Sequence, residues 1–363
     1  MDGPRGSRPL AGILGCLSTP PLSAFRSISE LYLILRWRQA SFLKVNLCRV
    51  STMYKSNRIS VVIPAFNVLN HISDVIATIP QFVDRIIVVD DCGTDGTTQF
   101  LNSLTNPRIL VVQHKTNQGV GGAMISGFKQ ALSEQVDIVV KMDGDGQMDP
   151  AHLPNLLDPI VEHGYSYAKG NRFLNNRELA SMPTLRLIGN YGLTFLTKLA
   201  SGNWHSFDPQ NGFLAIQAQV LGKLEIDHLA KRYFFENDML IHLNIIGARV
   251  KDVPIPTRYG NEKSSMRLSE IVMTFPRYLF RRFWYRVYQK HILRDFSPIA
   301  LFCVFGVLLF SWGTFFGTYT WAKSIIFSQI ATTGTVMLSV LPFLLGFQLI
   351  LQAILLEIAE SPK

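Results

Sequence analysis

From residue 59 onward, short apolar, β-branched runs alternate with longer amphipathic stretches. Residues 59–63 form the first run and stop at Pro64, and residues 85–89, 109–112 and 136–140 form three more. Continuous apolar runs of this length predict strands buried on both faces, as in a parallel sheet. Residues 71–78, 97–104, 121–132 and 152–162 carry helical spacing between them, so the alternation predicts βαβ units. Sheets of this kind bind ligands beyond the carboxyl ends of their strands. That singles out residues 64–67, 90–95, 114–117 and 143–147. Further along, residues 186–200 predict an amphipathic helix and 208–213 a polar turn. Residues 238–246 predict a helix with Asp238 as N-cap, 249–253 a strand and 259–265 a flexible polar loop.

The pattern changes at residue 271. Residues 271–294 mix Phe, Trp, Tyr and Leu with Arg277, Arg281, Arg282, Arg286, Lys290 and Arg294, the composition of a basic helix lying in a membrane interface. Two long apolar stretches follow, 297–321 and 335–358, with no charge in their interiors. Each exceeds the ~20 residues needed to cross a bilayer, and one central Arg would cost about 3 kcal/mol. Gln348 and Gln352 read as interhelical hydrogen-bonding residues. Two spans make a hairpin with both flanks on one side, and the preceding Arg/Lys cluster assigns that side to the cytoplasm. The expectation is a multi-pass membrane protein of a bacterial inner membrane or the endoplasmic reticulum, its catalytic part cytoplasmic.

At the other end, residues 1–56 carry many Arg and Lys against Asp2 and Glu30. They read either as a targeting segment or as sequence upstream of a start at Met53. The net charge of +9 fits phosphate-bearing or anionic lipid partners. No RNP, zinc-finger or helix-turn-helix signature accompanies it, so nucleic acid is disfavoured. The four cysteines, Cys16, Cys48, Cys92 and Cys303, lack CxxC spacing and predict neither a disulfide framework nor a zinc site. His114, His152, His205 and His242 also lack ligand spacing and read as surface or loop histidines.

The strongest chemical signal is Asp143-Gly-Asp145-Gly-Gln147, directly after an apolar strand. Two carboxylates one residue apart, with a neutral oxygen from Gln147, suit a hard cation such as Mg²⁺ or Mn²⁺ rather than zinc. Such an ion would neutralise a departing diphosphate, although Asp-Gly pairs also form plain turns. A second acidic cluster, Asp90-Asp91-Cys-Gly-Thr94-Asp95-Gly-Thr97, offers Asp91, then Asp90, for a base or ribose, with Thr94 and Thr97 as helix caps. The glycines at 119, 121 and 122 permit either a phosphate cradle or close backbone approach, the latter being favoured.

Taken together these motifs resemble the family-2 glycosyltransferases of GT-A fold, in particular their polyprenyl-phosphate branch. The resemblance runs from about residue 59 to 265. It is carried by Pro64-Ala-Phe-Asn67, Asp90-Asp91…Asp95, Asp143-Gly-Asp145-Gly-Gln147, Gly170-Asn-Arg172, Asp208-Pro-Gln-Asn211-Gly212-Phe213 and Arg258-Tyr-Gly260…Lys263-Ser264. It implies an α/β, Rossmann-like nucleotide-diphospho-sugar transferase domain. Pro64, Asn67 and Asp91 would face the nucleotide, while Asp143, Asp145 and Gln147 would hold metal and diphosphate. Arg172, Arg186, Arg258 and Lys263 would serve donor or lipid phosphates, with Asn211 in the acceptor loop. Glu236 and Asp238 resemble the acidic base of other members, or else open a helix. The sequence departs from the family in having Val68 after Asn67, where Glu is usual. Asp208–Phe213 also differs from the mannose synthases, so the donor sugar cannot be copied from them.

The expected organisation is an extension at 1–56, a catalytic domain at 57–265, an interfacial helix at 266–296 and a transmembrane hairpin at 297–363. The expected activity is inverting transfer from a nucleotide-sugar, UDP- favoured over GDP-, to a polyprenyl phosphate. A glycolipid hydroxyl acceptor and a non-catalytic membrane scaffold are the alternatives, and homo-oligomerisation stays open.

Overall fold

The computed structural model describes residues 53–174, 184–256 and 268–362, of which 184–188 and 268–273 are described as backbone only. The chain divides into a unit Met1–Ser51, outside the described residues, and a unit Thr52–Lys363, to which everything below refers. The 259–265 loop, Arg258, Lys263 and the side chain of Arg186 also lie outside the described residues.

The strands are β1 (Ile59–Ala65), β2 (Arg85–Asp90), β3 (Ile109–Gln113), β4 (Ile138–Lys141), β5 (Tyr167–Asn171), β6 (Leu214–Gln217) and β7 (Val250–Pro254). They form one sheet in the order β3-β2-β1-β4-β6-β5-β7. Alternate residues of a strand face opposite sides, and here both sides are covered. Val61, Ile63, Val88 and Val140 pack under α1 (Leu69–Thr78) and α4 (Leu153–His163), which supply Ile72, Val75, Leu156 and Leu157. Val62, Ile87, Val89 and Val139 pack under α3 (Gly119–Ser133) and α7 (Phe235–Ile245), which supply Phe128, Phe235 and Met239. The two-sided burial explains why these strands read as unbroken apolar runs. The remaining short helices of this part are α2 (Thr97–Asn102), after β2, and α6 (Ala218–Leu221), after β6.

Three expectations change. β1 does not stop at Pro64; it runs to Ala65, with Pro64 in register with Val89. The sheet is mixed, because β6 runs antiparallel to both β4 and β5. β5 (Tyr-Ala-Lys-Gly-Asn) is too polar to carry a strand period, and β6 (Leu-Ala-Ile-Gln), though mostly apolar, is too short to announce one. Finally, α7 begins at Phe235 after Phe234, so Asp238 lies inside its first turn and is not its cap. Every residue of α7 is buried, since it is enclosed by the sheet, by α5 (Thr184–Ser201) and by α8 (Leu268–Arg286).

α8 continues as a π-helix over Val287–Arg294. It leads into α9 (Pro298–Phe327) and α10 (Thr333–Glu360), an antiparallel pair. Ser297 and Thr332 cap their N-termini, accepting from Ile299 N and Thr335 N. Both helices are long and apolar enough to cross a membrane, with mean hydropathies of 2.2 and 2.1. Only 22% and 11% of their most apolar windows are buried, unlike the core helices of a water-soluble domain. The pair meets at glycines. A Cβ at Gly346 would stand 2.3 Å from Phe310 N, and one at Gly313 2.5 Å from Phe343 N. Gly346→Ala is therefore expected to destabilise the hairpin by about 1–3 kcal/mol, whereas Gly334→Ala, whose Cβ would meet nothing nearer than 4.0 Å, should be neutral. Thermal unfolding of the purified chain in detergent checks this pair.

Candidate active site

The sheet gathers the predicted residues at one edge. β1, β2, β4 and β5 end there and β6 begins there, because Lys141 of β4 and Lys169 of β5 both stand opposite Leu214. The 143–147 turn, the 208–213 loop and Arg172 therefore converge, as ligand sites do at strand ends.

At the centre is Lys141, a residue the sequence reading overlooked. Its side chain is 1% exposed, and its ammonium lies 2.6 Å from Asp143 Oδ1 and 3.3 Å from Glu236 Oε1. Burial alone would lower it, but Asp143 and Glu236 outweigh burial and hold it above its ordinary range. Burial pushes Glu236 up, Lys141 opposes that and Asp143 adds to it. A lysine closing an apolar strand just before two acids was the available signal, since a buried ammonium must find counter-charge.

Glu236 and Asp238 part company. Glu236 joins the Asp143 cluster, whereas Asp238 points into α8. There it accepts from Arg282 Nη2 (2.6 Å), and it also accepts from Ala230 N (2.8 Å), ahead of α7. Asp238 is thus an anchor for the basic helix and stands apart from the strand-end cluster.

Asp145 closes the turn by accepting from Gln147 N at 3.0 Å, with Gly146 in the left-handed region at φ +78. Asp143 is partly exposed. Gly212 keeps its outer side clear: a Cβ there would stand 3.0 Å from Asp143 Oδ2 and 2.3 Å from Lys141 Nζ. Among the described residues no cluster of three or more His, Cys, Asp or Glu is suited to a metal. Two oxygen donors on an open turn fit a Mg²⁺- or Mn²⁺-like ion that takes its remaining ligands from water and substrate phosphate.

The other wall is built on Asp208 and Asp252. Arg172 grips Asp208 as a fork, Nε to Oδ2 and Nη2 to Oδ1, both 2.7 Å. Burial works against the Asp208 carboxylate, but Arg172 and then Lys169 overcome it and hold it below the usual range. Lys169, also buried, donates to the carbonyls of Phe207 (2.5 Å) and Asp208 (2.7 Å). Asp252 accepts from Asn171 Nδ2, Ser206 Oγ and Phe207 N. Asn211 Oδ1 accepts from Phe213 N at 3.0 Å, fixing the approach to β6. Lys169 and Asp252, both unremarked in the sequence, fasten the loop that Arg172 reads.

The acidic cluster after β2 is occupied in holding loops together. Asp91, 2% exposed, accepts from His114 Nδ1 (2.7 Å), Gln118 N (2.8 Å) and Gly119 N (2.7 Å). Asp90 accepts from Gly93 N and Thr98 Oγ1. Asn67, at φ +55, accepts from Thr94 N at 2.7 Å, and Asp95 accepts from Leu69 N and Thr97 N. Asn67 is exposed and Pro64 half-buried beside Gly144. Thr94 and Thr97 cap no helix; the residue preceding α2 is Gly96. His114 lies in the loop after β3, as expected, its side chain 6% exposed and bonded to Asp91 and Ser126; His242 is instead buried inside α7, its Nδ1 bonded to Asp238 O. The glycine run serves close packing: Gly122 N donates to Lys231 O, and a Cβ at Gly121 would stand 2.1 Å from Ala230 O.

Residues 60–224 match the family model described as glycosyl transferase family 2. The UDP-N-acetylglucosamine–dolichyl-phosphate N-acetylglucosaminyltransferase of Methanococcus voltae is 32% identical, over 60% of this chain and 92% of that protein. The undecaprenyl-phosphate mannosyltransferase of Micrococcus luteus is 28% identical, over 54% of this chain and 82% of its own. Among solved structures, glucosyl-3-phosphoglycerate synthase from Mycobacterium tuberculosis in complex with Mn²⁺, UDP and glucosyl-3-phosphoglycerate is 22% identical. It covers 64% of this chain and 80% of its own at a TM-score of 0.47. The chain belongs to glycosyl transferase family 2. Its mixed α/β domain, followed by two apolar helices, is the GT-A class that its motifs implied.

Lys141→Met leaves Asp143 and Glu236 without their shared counter-charge, at an expected cost of about 3 kcal/mol at neutral pH. Glu236, already raised in the folded state, would be raised further. A carboxyl so raised supports folding most below its unfolded pKa and loses that support as pH rises through its folded one. The gap in unfolding midpoint between Lys141→Met and the parent should therefore narrow as pH falls from 8 to 5 in denaturant titrations.

Proposed function

We propose that this chain transfers a sugar, with inversion, from a nucleotide-sugar to a polyprenyl phosphate at the cytoplasmic face of a membrane. The observation carrying this reading is the convergence of the Asp143–Asp145 turn, the Lys141–Glu236 pair and the Arg172–Asp208 fork at one sheet edge, on a chain that ends in an apolar hairpin. The relatives named above act on dolichyl or undecaprenyl phosphate by their names, which supports the acceptor class. One of them uses UDP-N-acetylglucosamine, which supports a UDP-sugar over a GDP-sugar.

Asp143 and Asp145, with Gln147 alongside, would hold a Mg²⁺ or Mn²⁺ ion, which supplies charge neutralisation for the leaving diphosphate. Lys141 holds one oxygen of Asp143 and so orients the other outward. Arg172, together with Arg186, Arg258 and Lys263, would meet phosphate oxygens, for which guanidinium forks are suited. The attacking phosphate oxygen is ionised at neutral pH, so placement and electrostatics outweigh base catalysis. This agrees with Glu236 being committed to Lys141. A single in-line displacement on the anomeric carbon inverts it. The basic residues ahead of α9 support a cytoplasmic position for that flank.

Asp145→Ala is expected to abolish transfer while the chain stays membrane-bound, and chelation of divalent ions should do the same, reversibly with Mn²⁺ or Mg²⁺. Full activity in either case removes the metal from the account. Glu236→Gln should slow transfer by about tenfold or less. A loss beyond about a thousandfold, in the range of a general base combined with other effects, would favour a hydroxyl acceptor.

A further inference from the structure

The end of the hairpin meets the transferase domain at a buried ionic cluster that the chemistry above does not use. Arg286, the last residue of α8, is fully buried. Its Nε donates to Ala200 O (2.7 Å) and its Nη2 to Leu199 O (3.1 Å), carbonyls at the C-terminal end of α5. Its Nη1 donates to Oε1 of Glu357, in the last turn of α10. His291 Nε2 stands 3.6 Å from the same oxygen, and Ser361 Oγ donates to Gly202 O at 3.4 Å. Gly202, at φ +68, leaves room for the guanidinium; a Cβ there would stand 2.8 Å from Arg286 Nη1.

One guanidinium thus pins the junction of α8 with its π-helical continuation to the ends of α5 and α10. A buried Arg–Glu pair is seldom more stabilising than apolar packing of equal volume. Its distinctive property is a fixed geometry, strengthened where a cation meets helix C-terminal carbonyls. α5 also borders the site, since Tyr191 packs against Phe173, the neighbour of Arg172, and against Phe207, the neighbour of Asp208, with centroids 6.4 and 5.6 Å apart.

We propose that Arg286 and Glu357 are positioning residues, a strut that sets α5 and the Arg172–Asp208 wall at a fixed place relative to the end of the hairpin. This rests on the reading of a polyprenyl phosphate acceptor in a bilayer. The acceptor's hydrocarbon tail holds its phosphate at headgroup level, so the site must meet it at one height. The nucleotide-sugar arrives from water and imposes no such constraint. A loosened strut therefore impairs use of the long-chain acceptor and spares both the donor and a short, water-soluble isoprenyl phosphate.

The test uses the full chain in liposomes. Removing Glu357 alone leaves a buried cation unpaired and risks unfolding. The informative variants are Glu357→Asp, which keeps the charge, and the pair Arg286→Met with Glu357→Met, which keeps apolar volume. In the paired variant, amide hydrogen exchange at residues 197–203 should speed up about tenfold with the sheet amides unchanged. KM for long-chain polyprenyl phosphate should rise about tenfold, a size that small misplacement of reactants produces. The donor KM and the rate with the short-chain phosphate should stay within about twofold, and Glu357→Asp should recover most of the loss. Unchanged exchange, or equal losses with long and short acceptors, overturns the strut. If the unsubstituted chain uses no polyprenyl phosphate, the acceptor reading fails, and the exchange measurement decides the strut by itself.

Discussion

A single buried ammonium, that of Lys141, holds the site together. It ends β4 at the centre of the sheet and is shared between Asp143 and Glu236. A charge so placed is tolerable only if its partners are held close and hydrogen-bonded. The requirement fixes the start of the 143–147 turn, the N-terminal end of α7 and, through the missing Cβ of Gly212, the approach of the 208–213 loop. Asp143 is thereby left with one oxygen engaged inward and the other facing outward. The arrangement precedes any ligand and costs no reorganisation when one arrives.

α7 spreads this constraint through the molecule. It is buried along its whole length yet carries polar groups on several sides. Glu236 meets Lys141, Asn237 Oδ1 accepts from Thr197 of α5, Asp238 meets Arg282 of α8, and Asn244 Oδ1 accepts from Lys290. Through these pairs the helix ties the strand-end cluster to α5 and to the basic segment that leads into the apolar hairpin. Transferase domain, basic helix and hairpin are consequently joined by hydrogen bonds and ion pairs as well as by chain connectivity.

The sequence made legible those parts governed by local pattern. The four apolar strands, the helices between them and the two long apolar helices follow from periodicity and length alone. The Asp143–Gln147 turn could be located because it follows an apolar strand, and Arg172 because Gly170-Asn-Arg172 resembles a family motif. Pattern failed where long-range pairing decides. β5 and β6 are strands because Lys169 and Leu214 find each other across the sheet, and nothing in Tyr-Ala-Lys-Gly-Asn announces that. Asp238 and Asp91 read as chemistry in the sequence, and in the structure Asp238 accepts from Arg282 and Ala230 N, and Asp91 from His114, Gln118 N and Gly119 N, partners that no local pattern announces. Lys141, Lys169 and Asp252 were missed for the same reason: their partners are distant in the chain.

The most direct test of the central reading concerns the bond that is made. Proteoliposomes of the purified chain would be given polyprenyl phosphate and labelled UDP- or GDP-sugars, and the labelled lipid treated with mild acid. Attack by a phosphate oxygen yields a sugar–phosphate linkage, so the label should leave the lipid as free sugar under mild acid, with the anomeric configuration of the product opposite to that of the donor. A labelled lipid stable to mild acid, or one with the donor's configuration retained, would contradict the account.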